Sequence, residues 1–170
     1  MNDLLNRILR AAKLDVSLYE EVEADQGAMG QAILVVLLSS LAAGIGSLTM
    51  LGFGGVILMI LLALGGWYLW AYLTYLIGTK LLPEEETKAD QGELLRTLGF
   101  ASSPGLIRVL GIIPGLYGVI DFIAAVWMLI AMVIAVRQAL DYKSTVRAVI
   151  VCVIGFVVYL LVMMLIKLII

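Results

Sequence analysis

"GFASSPGLIRVLGIIPGLYGVIDF" (residues 99–122) contains Arg108 and Asp121, the two charges in an otherwise uncharged run from 97 to 136. Its first half also carries Ser102, Ser103 and Pro104, so it is the most polar stretch with a claim to cross a bilayer. It either spans the membrane or turns back as a re-entrant loop. That choice fixes the topology of the whole chain.

The surrounding composition puts the chain in a membrane. It is 63% hydrophobic and only 14% charged over 170 residues, with a mean hydropathy of +1.10. Soluble domains run at about 45–50% apolar and about 25% charged. One compact unit is expected at this length. A net charge of −2 argues against nucleic acid as a partner, because phosphate binding needs a basic surface.

A helical span needs about 20 apolar residues to cross about 30 Å of hydrocarbon. Residues 31–50, 56–79, 117–136 and 148–166 meet this without a charge, and 51–55 ("LGFGG") reads as a glycine-rich turn. The remaining candidate is 94–111. Lysine and arginine mark cytoplasmic loops. Arg7, Arg10 and Lys13 precede the first span; Lys80, Lys88 and Arg96 follow the second; Arg137, Lys143 and Arg147 precede the last. The connections at 51–55 and 112–118 have none, and Lys167 lies near the C-terminus. The alternation fits five spans, N-terminus inside and C-terminus outside. A re-entrant 94–111 would push the Arg137–Arg147 loop to the outside. The expected fold is therefore all-α: a polytopic bundle of five transmembrane helices, kinked at Pro104 in the third, with Ser102 and Ser103 satisfying nearby backbone.

The chain divides into a cytoplasmic N-terminal segment, 1–28, and a five-helix transmembrane domain, 29–170. Residues 3–13 ("DLLNRILRAAK") put leucines and isoleucine on one face, with Arg7, Arg10 and Lys13 on the flanks. Such a helix is suited to contact the membrane surface; packing on the ends of the other helices is the alternative. "SLYE" (17–20) reads as a capping box for a second short helix. "ADQG" occurs at 24–27 and 89–92, where Asp25 and Asp90 read as N-caps. The first 28 residues are charged and acid-rich, so a cleaved signal peptide is not expected.

Arg108 falls about one turn before its helix ends and Asp121 about one turn after the next begins. A short loop makes these helices antiparallel neighbours, so the charges sit at similar depth and can pair. The pair is either a structural clasp or part of a site that binds or conducts something. Trp67 and Trp127 fall near mid-span, away from the interfacial belts where tryptophan is enriched. With Trp70 and Tyr117 they form either packing or a lipid or ligand pocket. Ala42, Ala43, Gly44, Gly46, Gly65 and Gly66 permit close helix approach.

Chemistry is thin. Histidine is absent and Cys152 is the one cysteine, which removes the commonest metal ligand and the usual acid–base group. There is no HExxH, no Ser–His or Cys–His pair and no phosphate loop. No enzymatic activity, cofactor or metal is expected.

Residues 94–151, with their "GFASSPG" and "VRQALD…RAV" blocks, and residues 14–46 resemble the Yip1 domain family in its short prokaryotic form. The resemblance implies a five-span membrane protein with a cytoplasmic N-terminus. Eukaryotic members are associated with Rab-type GTPases and vesicle traffic and carry an Asp-Leu-Tyr-Gly-Pro motif. "DVSLYEE" (15–21) lacks the Gly-Pro here, so a GTPase partner is not carried over. The expected role is a non-enzymatic platform of the inner (plasma) membrane. It would bind membrane lipids and a protein partner on its cytoplasmic face, at the N-terminus and the acidic loop 83–93, and a homo-oligomer is compatible with its uncharged outer surface. The alternative is a small transporter, channel or lipid-moving protein built on Arg108 and Asp121, with Pro104 at a hinge.

Overall fold

The computed structural model describes residues 2–169, excepting the side chains of 2, 49–53, 55, 59, 163 and 165–169; Lys167 is among the exceptions. Seven α-helices follow in order: α1 (Asn2–Ala12), α2 (Val16–Ala24), α3 (Met29–Gly46), α4 (Leu48–Leu76), α5 (Gln91–Phe100), α6 (Tyr117–Ala139) and α7 (Thr145–Ile169). No strand occurs among the described residues. Among the described residues, four stretches are long and apolar enough to cross a membrane: Gln26–Gly46, Val56–Leu81, Tyr117–Ala139 and Thr145–Val162.

The fifth expected span takes a different form. The sequence suggests one kinked helix over 94–111, but α5 ends at Phe100 and the chain resumes as a 3-10 helix, Ser103–Ile112, with Pro104 in its first turn. Pro104 lacks the N–H that would continue the α-helical ladder, which makes the first turn of a new helix its natural place. The Ser102 hydroxyl reaches back to the Leu98 carbonyl (3.4 Å), whereas the buried Ser103 hydroxyl has no partner.

This broken segment lies alongside α3 and runs parallel to it. Gly99 abuts Ala32, Gly105 abuts Ser39 and Gly111 abuts Gly46. Steps of seven along α3 thus match steps of six along the segment. The mismatch follows from rise per residue, about 1.5 Å in an α-helix and about 2.0 Å in a 3-10 helix. Winding the second half as 3-10 lets fewer residues cover the same height. At the two lower positions a side chain on the segment would collide with Ala32 or Ser39, so glycine is what permits the approach.

Two turns depart from expectation. The expected turn at 51–55 is helical, and the chain reverses at Ser47, whose hydroxyl donates to the Ala43 and Gly44 carbonyls. The expected capping box at 17–20 gives way to Asp15, whose carboxylate accepts from the Ser17 N–H at 3.0 Å; the N-terminus lies two residues earlier because Asp15 caps it first. Both "ADQG" aspartates do cap. Asp90 forms a capping box with Glu93, and Asp25 caps the 3-10 turn Gln26–Ala28 that leads into α3.

The N-terminal segment is built into the core. Leu18, Tyr19 and Val22 of α2 are fully buried beside Leu94, Phe100 and Val136. Arg96 fixes α2 in place: it is 5% exposed and donates to the Val22 carbonyl (2.9 Å) and the Glu23 carbonyl. A guanidinium on the last carbonyls of a helix satisfies groups the ladder leaves open and complements the helix dipole.

Candidate functional site

One end of the bundle collects the cationic loops. Arg7 of α1 is buried and pairs with Glu21 (2.9 Å) and Asp25 (2.9 Å), while Arg10 pairs with Asp15 (2.8 Å) and Glu21. Arg10 first, then Arg7, holds the Glu21 carboxyl below its usual range, and Arg7 does the same for Asp25. Two of the three cations expected at the membrane surface are thus turned onto carboxylates of their own chain, and Lys13 stays exposed. The outward face of this hairpin is apolar instead: Leu5, Leu9 and Val16 are exposed.

The acidic loop after α4 is tied down as well. Lys143 pairs with Glu86 (2.7 Å), Arg147 with Glu84 (3.4 Å), and the Arg147 guanidinium donates to the Pro83 carbonyl. Between α2 and the α6–α7 turn, burial first, then the charges of Asp141, Glu93 and Glu20, pushes the Glu23 carboxyl up to about 7.

Arg108 and Asp121 lie towards the other end. The Arg108 Nε donates to Asp121 Oδ1 at 2.9 Å, bridging the 3-10 helix and α6 as the spacing suggests. One of its terminal nitrogens rests on the Met128 sulfur at 3.3 Å. The pair is not sealed: the side chains are 21% and 46% exposed. Two cavities meet there, sharing Arg108 and Ala43. The outer one, 270 Å³, is completed by Tyr117 and Asp121.

The inner cavity, 330 Å³, lies between α3, α4, the broken segment, α6 and α7. Trp67 and Trp70 line it, together with Ser102 of the break. Trp67 donates to the Leu95 carbonyl at 3.2 Å. Trp70 meets Tyr159 edge to face, and its indole N–H is buried without a partner. Trp127 lines neither cavity; its indole N–H donates to the Ala12 carbonyl at 2.8 Å and holds the α1–α2 turn against α6. Four aromatics read as one group are therefore divided among three jobs. Sequence reasoning missed Tyr159, Met128, Met132 and the Ser39–Ser40 pair. Two adjacent hydroxyls in an uncharged span were the available signal. No cluster of metal-ligating side chains occurs among the described residues.

Long apolar helices and the absence of strands among the described residues define a multi-pass, all-helical membrane protein. The Yip1 domain model matches residues 17–166, and the chain belongs to the Yip1 domain family, which is generally non-enzymatic. No curated protein and no solved structure matches it.

Proposed function

We propose that the chain crosses the inner (plasma) membrane five times with its N-terminus in the cytoplasm, and that it serves as a non-enzymatic, membrane-organising platform. The observation that carries this reading is the sorting of charge. Arg96, Arg137, Lys143 and Arg147 gather at the end where α2 is clamped, as the positive-inside rule leads one to expect of a cytoplasmic face. The fifth crossing is the broken segment. From Thr97 onward, four α-helical residues, a two-residue link and ten 3-10 residues extend about 28 Å, close to a hydrocarbon core of about 30 Å. On this face Leu5, Leu9 and Val16 would rest in the lipid and the 83–90 loop would meet a protein partner.

The test is cysteine accessibility in a Cys152→Ala background, with a photo-crosslinker at the same faces. Cysteines at Glu85 and Lys143 should label from the cytoplasmic side and one at Gly115 from the other. A crosslinker at Leu9 should capture lipid, and one at Glu85 protein. Labelling of Gly115 and Lys143 from the same side would rule out five crossings. Capture at Glu85 no greater than at Gly115 would rule out the platform.

A specific observation favours a second reading. Arg108 and Asp121 border two joined cavities instead of sealing each other off. That geometry suits a small transporter or lipid-moving protein, with the break at Ser102–Pro104 as its hinge. Flux of a labelled lipid across vesicles that stops on Ala43→Leu would carry it; no flux above empty vesicles would remove it.

A further inference from the structure

We propose that the inner cavity is a binding site for one anionic amphiphile, whose carboxylate or phosphate head sits on Arg108 and whose apolar body lies against Trp67, Trp70 and Tyr159. The inference uses the cavity of the second reading but does not require that the ligand move.

Charge selects the head. Among the described residues Arg108 is the one charged residue lining the inner cavity, while Asp121 lines the outer one. The guanidinium has spare capacity. It carries five N–H donors; Asp121 takes the Nε–H, and one terminal nitrogen rests on a thioether, a weak acceptor. A carboxylate or phosphate oxygen would displace that sulfur at little loss and gain a charge-assisted bond in low dielectric. Asp121 fixes the fork without consuming it.

The wall selects the body. Apart from Arg108 and a few hydroxyls, the lining is aromatic, methionine and aliphatic, at the depth of the spanning helices. A hydrophilic anion would leave that surface in contact with water it does not need to meet. At 330 Å³ the cavity is at the small end of ligand pockets, about 300–1,000 Å³. It holds a head and the first part of a chain, with the rest leaving towards lipid.

The experiment uses the full chain in phosphatidylcholine nanodiscs, in a Trp127→Phe background that leaves Trp67 and Trp70 as reporters. Dibromostearate and brominated phosphatidic acid, titrated separately, should quench their fluorescence saturably, the tighter of the two revealing which head the site prefers. Arg108→Gln should weaken both by about tenfold or more, and the brominated methyl ester should bind no better to wild type than the acid binds to that variant. Ala43→Leu, which keeps the cation and fills the junction of the cavities, should also abolish saturation. Equal quenching by acid and ester overturns the proposal, as does quenching unchanged in both variants. Displacement by millimolar inorganic phosphate also overturns it, because the site would then be one for a free anion. Saturable binding without lipid flux keeps the site and ends the transport reading.

Discussion

Arg108 and Asp121, thirteen positions apart in the sequence, meet at 2.9 Å where the 3-10 helix and α6 converge. Each charge answers the other, yet both remain open to a cavity. A clasp and a site are therefore not alternatives here. A cation held by a partially exposed carboxylate is anchored and still available.

Thermal or SDS unfolding in nanodiscs should show this directly. Arg108→Leu and Asp121→Leu should each destabilise by about 1–2 kcal/mol, below the about 3–5 kcal/mol of a fully buried pair. The double variant should recover most of the loss. Strictly additive losses would mean the two charges do not support each other.

Arg96 should matter more than either. Arg96→Ala leaves the last carbonyls of α2 unanswered inside the core and should cost about 3 kcal/mol. Arg96→Lys should rescue little, since one ammonium cannot reach both carbonyls as the planar fork does. Full rescue by lysine would show that charge alone is needed.

Glycines along the broken segment should divide by what they touch. Gly105→Ala drives a methyl into Ser39 and Met128 and should destabilise by about 1–3 kcal/mol. Gly30→Ala, in α3 with open space around it, should be neutral or stabilise by roughly 0.5–1 kcal/mol. A Gly105→Ala protein as stable as wild type would contradict the close packing of this segment on α3.

Glu23 sets a pH dependence. Its folded-state carboxyl titrates at about 7, above its unfolded value, because of burial and the charges of Asp141, Glu93 and Glu20, with Arg96 opposing. Between the two values the folded protein keeps a proton that the unfolded chain has released, so the contribution is full at low pH and is lost as pH rises towards 7. Relative to Glu23→Gln, wild type should lose stability from pH 5 to pH 8 and change little above. Parallel stability curves for the two proteins would show that Glu23 ionises normally.

Much of this was readable in advance because it rests on local chemistry. Hydropathy gave the four long spans, and the 13-residue spacing gave the ion pair. The repeated "ADQG" announced Asp25 and Asp90 as N-caps. What was not readable depends on partners distant in sequence. Arg96 looks like a loop cation and becomes a clamp only because α2 comes to lie beside α5. Arg7 looks like a lipid anchor until Glu21 and Asp25 surround it. The repeat Gly99, Gly105, Gly111 escapes a helical template because its period of six belongs to a segment that is half 3-10.

The break after Phe100 also bears on how such a protein is made. As the chain emerges from the ribosome, α5 offers about 15 Å of α-helix, followed by a stretch bearing an unanswered arginine. Neither part is a competent stop for a translocon that decides on about 20 apolar residues. On the five-crossing proposal, lateral release would wait until α6 arrives with Asp121, the chain turning about Gly115 at its positive φ of 84°. In a chain truncated at Ile112, α3 and α4 already anchor the protein, so the readout must be local: a cysteine at Val109 should be labelled by a water-soluble maleimide there and be protected in a chain extended through Ala139. On the five-crossing proposal the two segments enter the lipid as a pair, and their counter-charges are what would let the first of them stay.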